Sequence, residues 1–258
     1  MTAPLRRPVV APLGRMLGAE LTLALTRPRT VVVLGATALL PVLVAIGMLR
    51  MDETETHAIG VLMVSASELA AFSAGLPVVL VAADALAAER ARGTLDLLRL
   101  APVGVTRLLV LKTGAVVATA ALAATILTVA ALIAGLLVLG PGPMGTAGTL
   151  GRGMLTALWL TGQLAALGAG VLAVSAATRR PTAAVASGLV VVTIAPLAGM
   201  LWRPMAPLLP TGHWTEVMAQ VCRSSVGLSA AGSTTLRAAG FAVAGLGLAA
   251  YLLARHDG

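Results

Sequence analysis

Cysteine, lysine and aromatic side chains are scarce in this sequence, and each scarcity removes a class of function. A single cysteine, Cys222, rules out a disulfide within the chain and a thiolate metal cluster, and it reads as a small apolar filler. Lysine occurs once, at Lys112 in Leu109-Val110-Leu111-Lys112-Thr113, with no glycine just before it. A P-loop needs a glycine-rich backbone to cradle phosphates and a lysine directly after its last glycine, so the chain carries no nucleotide site of that kind. His57, His213 and His256 are scattered, without the paired spacing of a metal-binding helix, and read as solvated loop residues. No Gly-x-Ser-x-Gly elbow occurs, which removes the corresponding hydrolases. The sequence therefore offers no catalytic, cofactor-binding or metal-ligating set of its own.

Charge is scarce as well. Only 11% of the residues are charged and 58% are hydrophobic, with a mean hydropathy of +0.97. Soluble domains carry about 25% charged residues. Apolar runs of about 20 residues recur, where barrel strands would need only about 10, so the expected class is an all-α polytopic membrane protein. The net charge of +8 would suggest nucleic acid in a soluble chain. Here an excess of Arg beside spans on the cytoplasmic side, with anionic lipid as a further contributor, accounts for most of it, and no nucleic-acid partner is expected.

What is present is ordered along the chain. Residues 1–29 hold Arg6, Arg7, Arg15, Arg27 and Arg29. Leu13, Met16, Leu17, Leu21 and Leu25 recur there at helical spacing, with Arg15 and Glu20 off the stripe. The pattern predicts an amphipathic helix lying along the inner membrane face. No cleavable signal peptide is expected, because about thirty residues precede the first strongly apolar run. Six spans are expected at about 30–49, 65–88, 113–139, 154–177, 184–201 and 237–254, in one transmembrane domain covering 1–258. Pro41 is expected to kink the first span. The second is interrupted by Ser65-Ala66-Ser67-Glu68 and by Pro77. Gly140-Pro141-Gly142-Pro143 closes the third with a turn, and 145–153 reads as a glycine-rich outer loop. Ala166 and Gly170 stand at a spacing that allows close helix approach in lipid, and Gln163 reads as an interhelical hydrogen-bonding group. Residues 202–236 form a semi-apolar connection, with a short helix expected from Trp214 to Arg223, suited to the outer interface.

Of the 18 Lys and Arg residues, 13 fall on one side of this arrangement and five on the other. The richer side is the cytoplasmic one, which places both termini inside an inner (plasma) membrane.

The one crowd of charges between spans is Ala87-Ala88-Glu89-Arg90-Ala91-Arg92-Gly93-Thr94-Leu95-Asp96-Leu97-Leu98-Arg99-Leu100-Ala101-Pro102-Val103. With the run from Leu108 to Lys112 after it, this stretch resembles the permease subunits of ABC exporters of the ABC-2 type. In that family the second span ends in a charged turn, then Gly-Thr-Leu-Glu-Leu-Leu, then a proline. Here Asp96 stands where the family usually has Glu. Leu209-Pro210-Thr211-Gly212-His213-Trp214-Thr215-Glu216-Val217 looks like the proline-led short helix before the family's last span.

The resemblance implies a division of labour. The permease would hold no cofactor, with ATP and Mg on a separate cytoplasmic ABC ATPase present in two copies. A second permease subunit, identical or related, would complete the transporter in membrane lipid. Glu89, Arg90, Arg92, Gly93, Thr94, Leu95, Asp96 and Leu98 would form the ATPase-docking coupling helix. The residue types fit that role. Charged groups can pair with a soluble surface, Leu95, Leu97 and Leu98 can anchor, Gly93 permits a sharp reorientation, and Pro102 ends the element. The expected function is efflux of a hydrophobic or amphipathic compound, drug-like or lipid-like. Two alternatives stand beside it. One is an ABC permease for haem export or periplasmic enzyme maturation. The other is a self-sufficient proton-coupled carrier using Asp84, against which Asp84 also reads as an interfacial or interhelix polar contact.

Overall fold

A computed structural model describes residues 13–50, 57–93, 104–201, 214–221 and 228–255. Among them the chain forms helices and no strand: α1 (Leu13–Leu25), α2 (Pro28–Arg50), α3 (Ala58–Ala66), α4 (Glu68–Ser73), α5 (Gly75–Ala91), α6 (Val105–Val138), α7 (Gly145–Ala177), α8 (Pro181–Leu201), α9 (Trp214–Val221) and α10 (Leu228–Arg255). Five helical stretches are long and apolar enough to cross a bilayer: Pro28–Arg50, Leu69–Ala91, Thr106–Val138, Gly145–Ala177 and Ala231–Arg255. Where six were expected, the apolar stretch Pro181–Ile194 of α8 is shorter than these. The architecture is that of an all-helical, multi-pass membrane protein.

Prolines open α2 and α8, at Pro28 and Pro181, where a missing N–H leaves no intrahelical acceptor wanting. α2 continues through Pro41 as one helix. The expected interruption of the second span is real and falls in two places. Ser67 leaves helical geometry at φ −80° and ψ −133°, and Ala74 separates α4 from α5.

The second break follows from Pro77. Proline has no N–H to give the carbonyl four residues back, which belongs to Ser73. In lipid no water can take its place. Thr37 of α2 supplies a donor: its Oγ1 lies 2.8 Å from the Ser73 carbonyl and 2.9 Å from the Val33 carbonyl of its own helix, so the two share one proton, and Thr37 is fully buried. Thr37→Val keeps the shape and removes the donor. It should lower stability by about 1–3 kcal/mol, the cost of a buried acceptor left unmade. Thermal unfolding in detergent measures it, and an unchanged midpoint would show that the carbonyl finds another donor.

One expectation is corrected. Residues 145–153 are the first turns of α7 and not a loop. The turn is confined to the residues before them, with Gly140, Gly142 and Gly145 at φ of 80°, 71° and 65°. His57 lies across Gly142, where a Cβ would come within 2.7 Å of the ring, so this loop histidine is half-buried under the turn. Thr149 Oγ1 reaches back to the carbonyls of Pro141 and Gly145 at 3.0 and 2.9 Å and fastens the helix start. Gly153 then meets Leu132 of α6 closely enough that a Cβ would sit 2.4 Å from Leu132 Cδ1. Gly153 serves close packing, a role that composition alone does not distinguish from a loop.

The core gathers round the second span. Of the most apolar 18 residues within Leu69–Ala91, 72% are buried, against 17% for those of α2 and 22% for those of α10, so those two helices form the flanks. α5 packs on α6, α7 and α8. Gly168 and Gly188 bring the partners close: Cβ atoms there would meet Val116 and Val79 at 2.3 and 2.5 Å. The approach expected at Ala166 and Gly170 takes a different form. Gly245 of α10 lies against the Ala169–Gly170 backbone, while a Cβ on Gly170 would meet open space. At the opposite end from the charged crowd, α9 buries Trp214, Val217, Met218 and Val221. Trp214 packs edge-on against Trp159 at 5.6 Å between centroids, and Trp159 Nε1 donates to Thr234 Oγ1 at 3.2 Å. The short helix expected from Trp214 thus lies against the bundle.

Candidate functional site

The charged stretch begins at the end of α5, and the described residues reach Gly93. Thr94, Leu95, Asp96 and Leu98 lie outside them. Gly93 takes φ of +70°, the left-handed backbone that terminates a helix without strain only for glycine. The Arg92 and Gly93 N–H groups close the last turn onto the Ala88 and Arg90 carbonyls, both at 3.2 Å. The chain leaves α5 here, and Ala91, Arg92 and Gly93 are exposed.

Glu89 and Arg90 turn inward. Glu89 Oε1 accepts from Lys112 Nζ of α6, and the same ammonium donates to Glu20 Oε1 of α1 at 2.8 Å. Lys112 is 3% exposed, so the lone lysine of the chain is a buried cation between two carboxylates. Arg90 Nη1 donates to the Ala176 carbonyl at 2.6 Å, at the C-terminal end of α7 where the helix dipole favours a cation. Glu20, expected off the apolar stripe, is half-buried on the packed side of α1 together with Met16, Leu17, Leu21 and Ala24. The reason is its partner. A carboxylate can join an apolar face when a buried ammonium faces it.

A second ionic group lies one to two turns deeper. Asp84, 6% exposed, accepts from Arg27 Nη1 at 2.5 Å and pairs with Arg29. These two arginines flank Pro28 at the start of α2. Asp84 is therefore an interhelix contact tying α5 to the α1–α2 junction. Ser175 of α7 completes the fastening. Its Oγ donates to the Ala83 carbonyl at 2.7 Å and accepts the N–H of Ala87 at 2.9 Å. The two ionic groups border a cleft of about 140 Å³ whose charged wall is Glu20, Arg27, Asp84, Glu89, Arg92 and Lys112. Three of these side chains are cationic and three anionic, and Arg29 adds a further cation on Asp84.

Sequence reasoning did not find the roles of Glu20, Arg27, Arg29, Lys112 and Ser175. For Lys112 a signal existed. A lone ammonium inside an apolar run needs a partner within the fold.

This geometry is a joint. α1, α2, α6 and α7 are all fastened to the end of α5, from which Arg92 and Gly93 protrude. Among the described residues it contains no nucleophile paired with a base. A match to ABC-2 family transporter protein spans residues 25–195, from just before α2 into α8. The chain belongs to the ABC-2 transporter family. No curated protein matches it significantly. The matched region includes the whole joint except Glu20 of α1. As an ABC-2 permease the chain is a membrane transport component and not itself catalytic, and the family implies association with an ABC ATPase subunit.

Proposed function

We propose that this permease is the membrane-spanning subunit of an ATP-driven exporter, with six spans, both termini in the cytoplasm and the joint at the cytoplasmic face. Two cytoplasmic ATPases, carrying the ATP and Mg, would work on two permease subunits, identical or related. The segment from Gly93 through Leu98 would be the coupling helix, with Arg92, Asp96, Leu95 and Leu98 as its docking groups. α1 would lie along the inner interface. The efflux substrate would be hydrophobic or amphipathic, since six aromatics and few buried polar groups leave little means of polar recognition.

The observation that carries this reading is the way α5 ends. An exposed Arg92 and a left-handed Gly93 release the chain from a helix end fastened to four others. A displacement of the coupling helix would then move α5 with its neighbours as one body. A free loop charged only to orient the chain would not require such anchoring. Glu89 and Arg90 serve the anchor, and the docking contact falls to the residues after them.

The test separates the two. A tagged chain is drawn from mild detergent and co-purifying P-loop ATPase is measured. Arg92→Glu with Leu95→Asp should reduce the retained ATPase more than tenfold while the chain stays inserted. Undiminished capture by that variant would sink the docking assignment. Absence of any ATPase with the wild-type chain would sink the exporter itself.

A further inference from the structure

We propose that the groove between α7, α8 and α10 holds one acyl chain of an anionic phospholipid, whose phosphate is bound by Arg179, Arg180 and Arg255. The groove has a volume of about 280 Å³ and is walled by Leu167, Gly170, Val174, Gly188, Val191 and Phe241. Ser187 supplies the single hydroxyl of the wall, and its Oγ already donates to the Ala184 carbonyl at 2.9 Å. Its proton is thus committed, and the rest of the lining is apolar. Gly170, Val174, Val191 and Phe241 are exposed, so the groove opens sideways, toward lipid.

Its depth is set by the helices. Val174 stands about one turn from the end of α7, and Ser187 less than two turns from the start of α8. Arg179 and Arg180 occupy the link between those ends, both exposed. α10 runs alongside α7, with Gly245 on the Ala169–Gly170 backbone and Leu253 clustered with Ala176, so Arg255 ends level with the same link. Among the described residues no carboxylate pairs with any of the three arginines. An apolar slot with exposed cations at one mouth matches an acyl chain with an anionic headgroup, as basic pockets between transmembrane helices do in general. On the proposed orientation this is the inner leaflet. The site does not depend on what the permease exports.

The groove is wide enough to be plugged by design. A Cβ on Gly170 meets nothing within 4 Å, so a larger side chain there enters the slot without disturbing the helices. On Gly188 it would strike Val79 at 2.5 Å, so the opposite wall is fixed.

The test uses the purified chain in mild detergent with equal amounts of phosphatidylglycerol and phosphatidylcholine of identical acyl chains, read by native mass spectrometry. The wild type should retain phosphatidylglycerol over phosphatidylcholine by at least about tenfold, since each of the three arginines near a surface contributes up to about fivefold and a tenfold preference needs only part of that. Arg179→Gln, Arg180→Gln and Arg255→Gln together should bring that ratio near unity while total bound lipid persists. Gly170→Phe should remove lipid of both kinds, and Gly170→Leu should do so in part, with melting temperatures unchanged. Equal retention of the two lipids by the wild type overturns the proposal, as does a wild-type pattern in either the arginine or the Phe variant. Lower dimer content in Gly170→Phe with lipid retention intact would mean that the groove seats a second copy of the chain, and would overturn it equally.

Discussion

Lys112→Met is expected to destabilise the folded chain by about 3 kcal/mol, the lower end of the range for removing one partner from a buried ion pair. The lower end applies because Glu20 is 33% exposed and water relieves part of its unpaired charge, whereas Glu89 at 19% is relieved less. The loss should come from the carboxylates left behind and not from the missing ammonium. Adding Glu20→Gln and Glu89→Gln to Lys112→Met should therefore restore most of the stability, because neutral amides need no counter-charge. Denaturation of the purified chain in detergent reads both effects. If the triple variant is no more stable than the single one, Lys112 acts through packing of its stem, and the joint is not held by charge. Lys112 links α1 to α5, so the single variant should also free α1 to proteolysis before the rest of the chain unfolds.

Gly245→Leu is expected to cost about 2–3 kcal/mol, in the upper part of the range for overpacking. A Cβ at Gly245 would lie 2.8 Å from the carbonyl carbon and oxygen of Ala169 and 3.0 Å from the Gly170 nitrogen. Those atoms are backbone in the interior of α7, so no side chain can turn aside and α10 must move. The gain in helix propensity on replacing glycine, up to about 1 kcal/mol, offsets only part of this. Gly240 lies five residues earlier on the same helix, where a Cβ meets nothing within 4 Å. Gly240→Ala should accordingly be neutral or slightly stabilising. Equal effects at the two positions in thermal unfolding would show that the α7–α10 contact is not set by the close approach at Gly245.

Several elements were legible because lipid leaves the backbone few choices. The apolar runs had to be helices, and the interruption at Ser67 was visible as a polar break in an apolar stretch. The short helix expected from Trp214 within the semi-apolar connection is present over Trp214–Val221. Residues 145–153 were misread for a physical reason. Glycine marks a turn when its φ is positive and a close contact when its helix face meets a neighbour, and the letter is the same for both. Of the docking residues, Gly93 was read for its conformational freedom, and its φ is left-handed. Glu89 and Arg90 were read as surface charges, because a run of charges beside a span looks solvated until the opposing helix is known. Thr94, Leu95, Asp96 and Leu98 lie outside the described residues, and their role rests on the family resemblance and the proposed test.

By itself the sequence determined the class of this protein: a helical, multi-pass membrane chain with a charged, Gly-Thr-bearing stretch of ABC-2 type. Composition and period suffice for that, since only internally hydrogen-bonded helices carry such apolar runs through lipid. The tertiary structure alone decided the partners. Lys112 meets Glu20 across 92 residues of chain, and Arg27 meets Asp84 across 57. Such meetings depend on the relative height and rotation of helices packed side by side. Those are set by where glycines let backbones approach, and no periodicity within one helix encodes them.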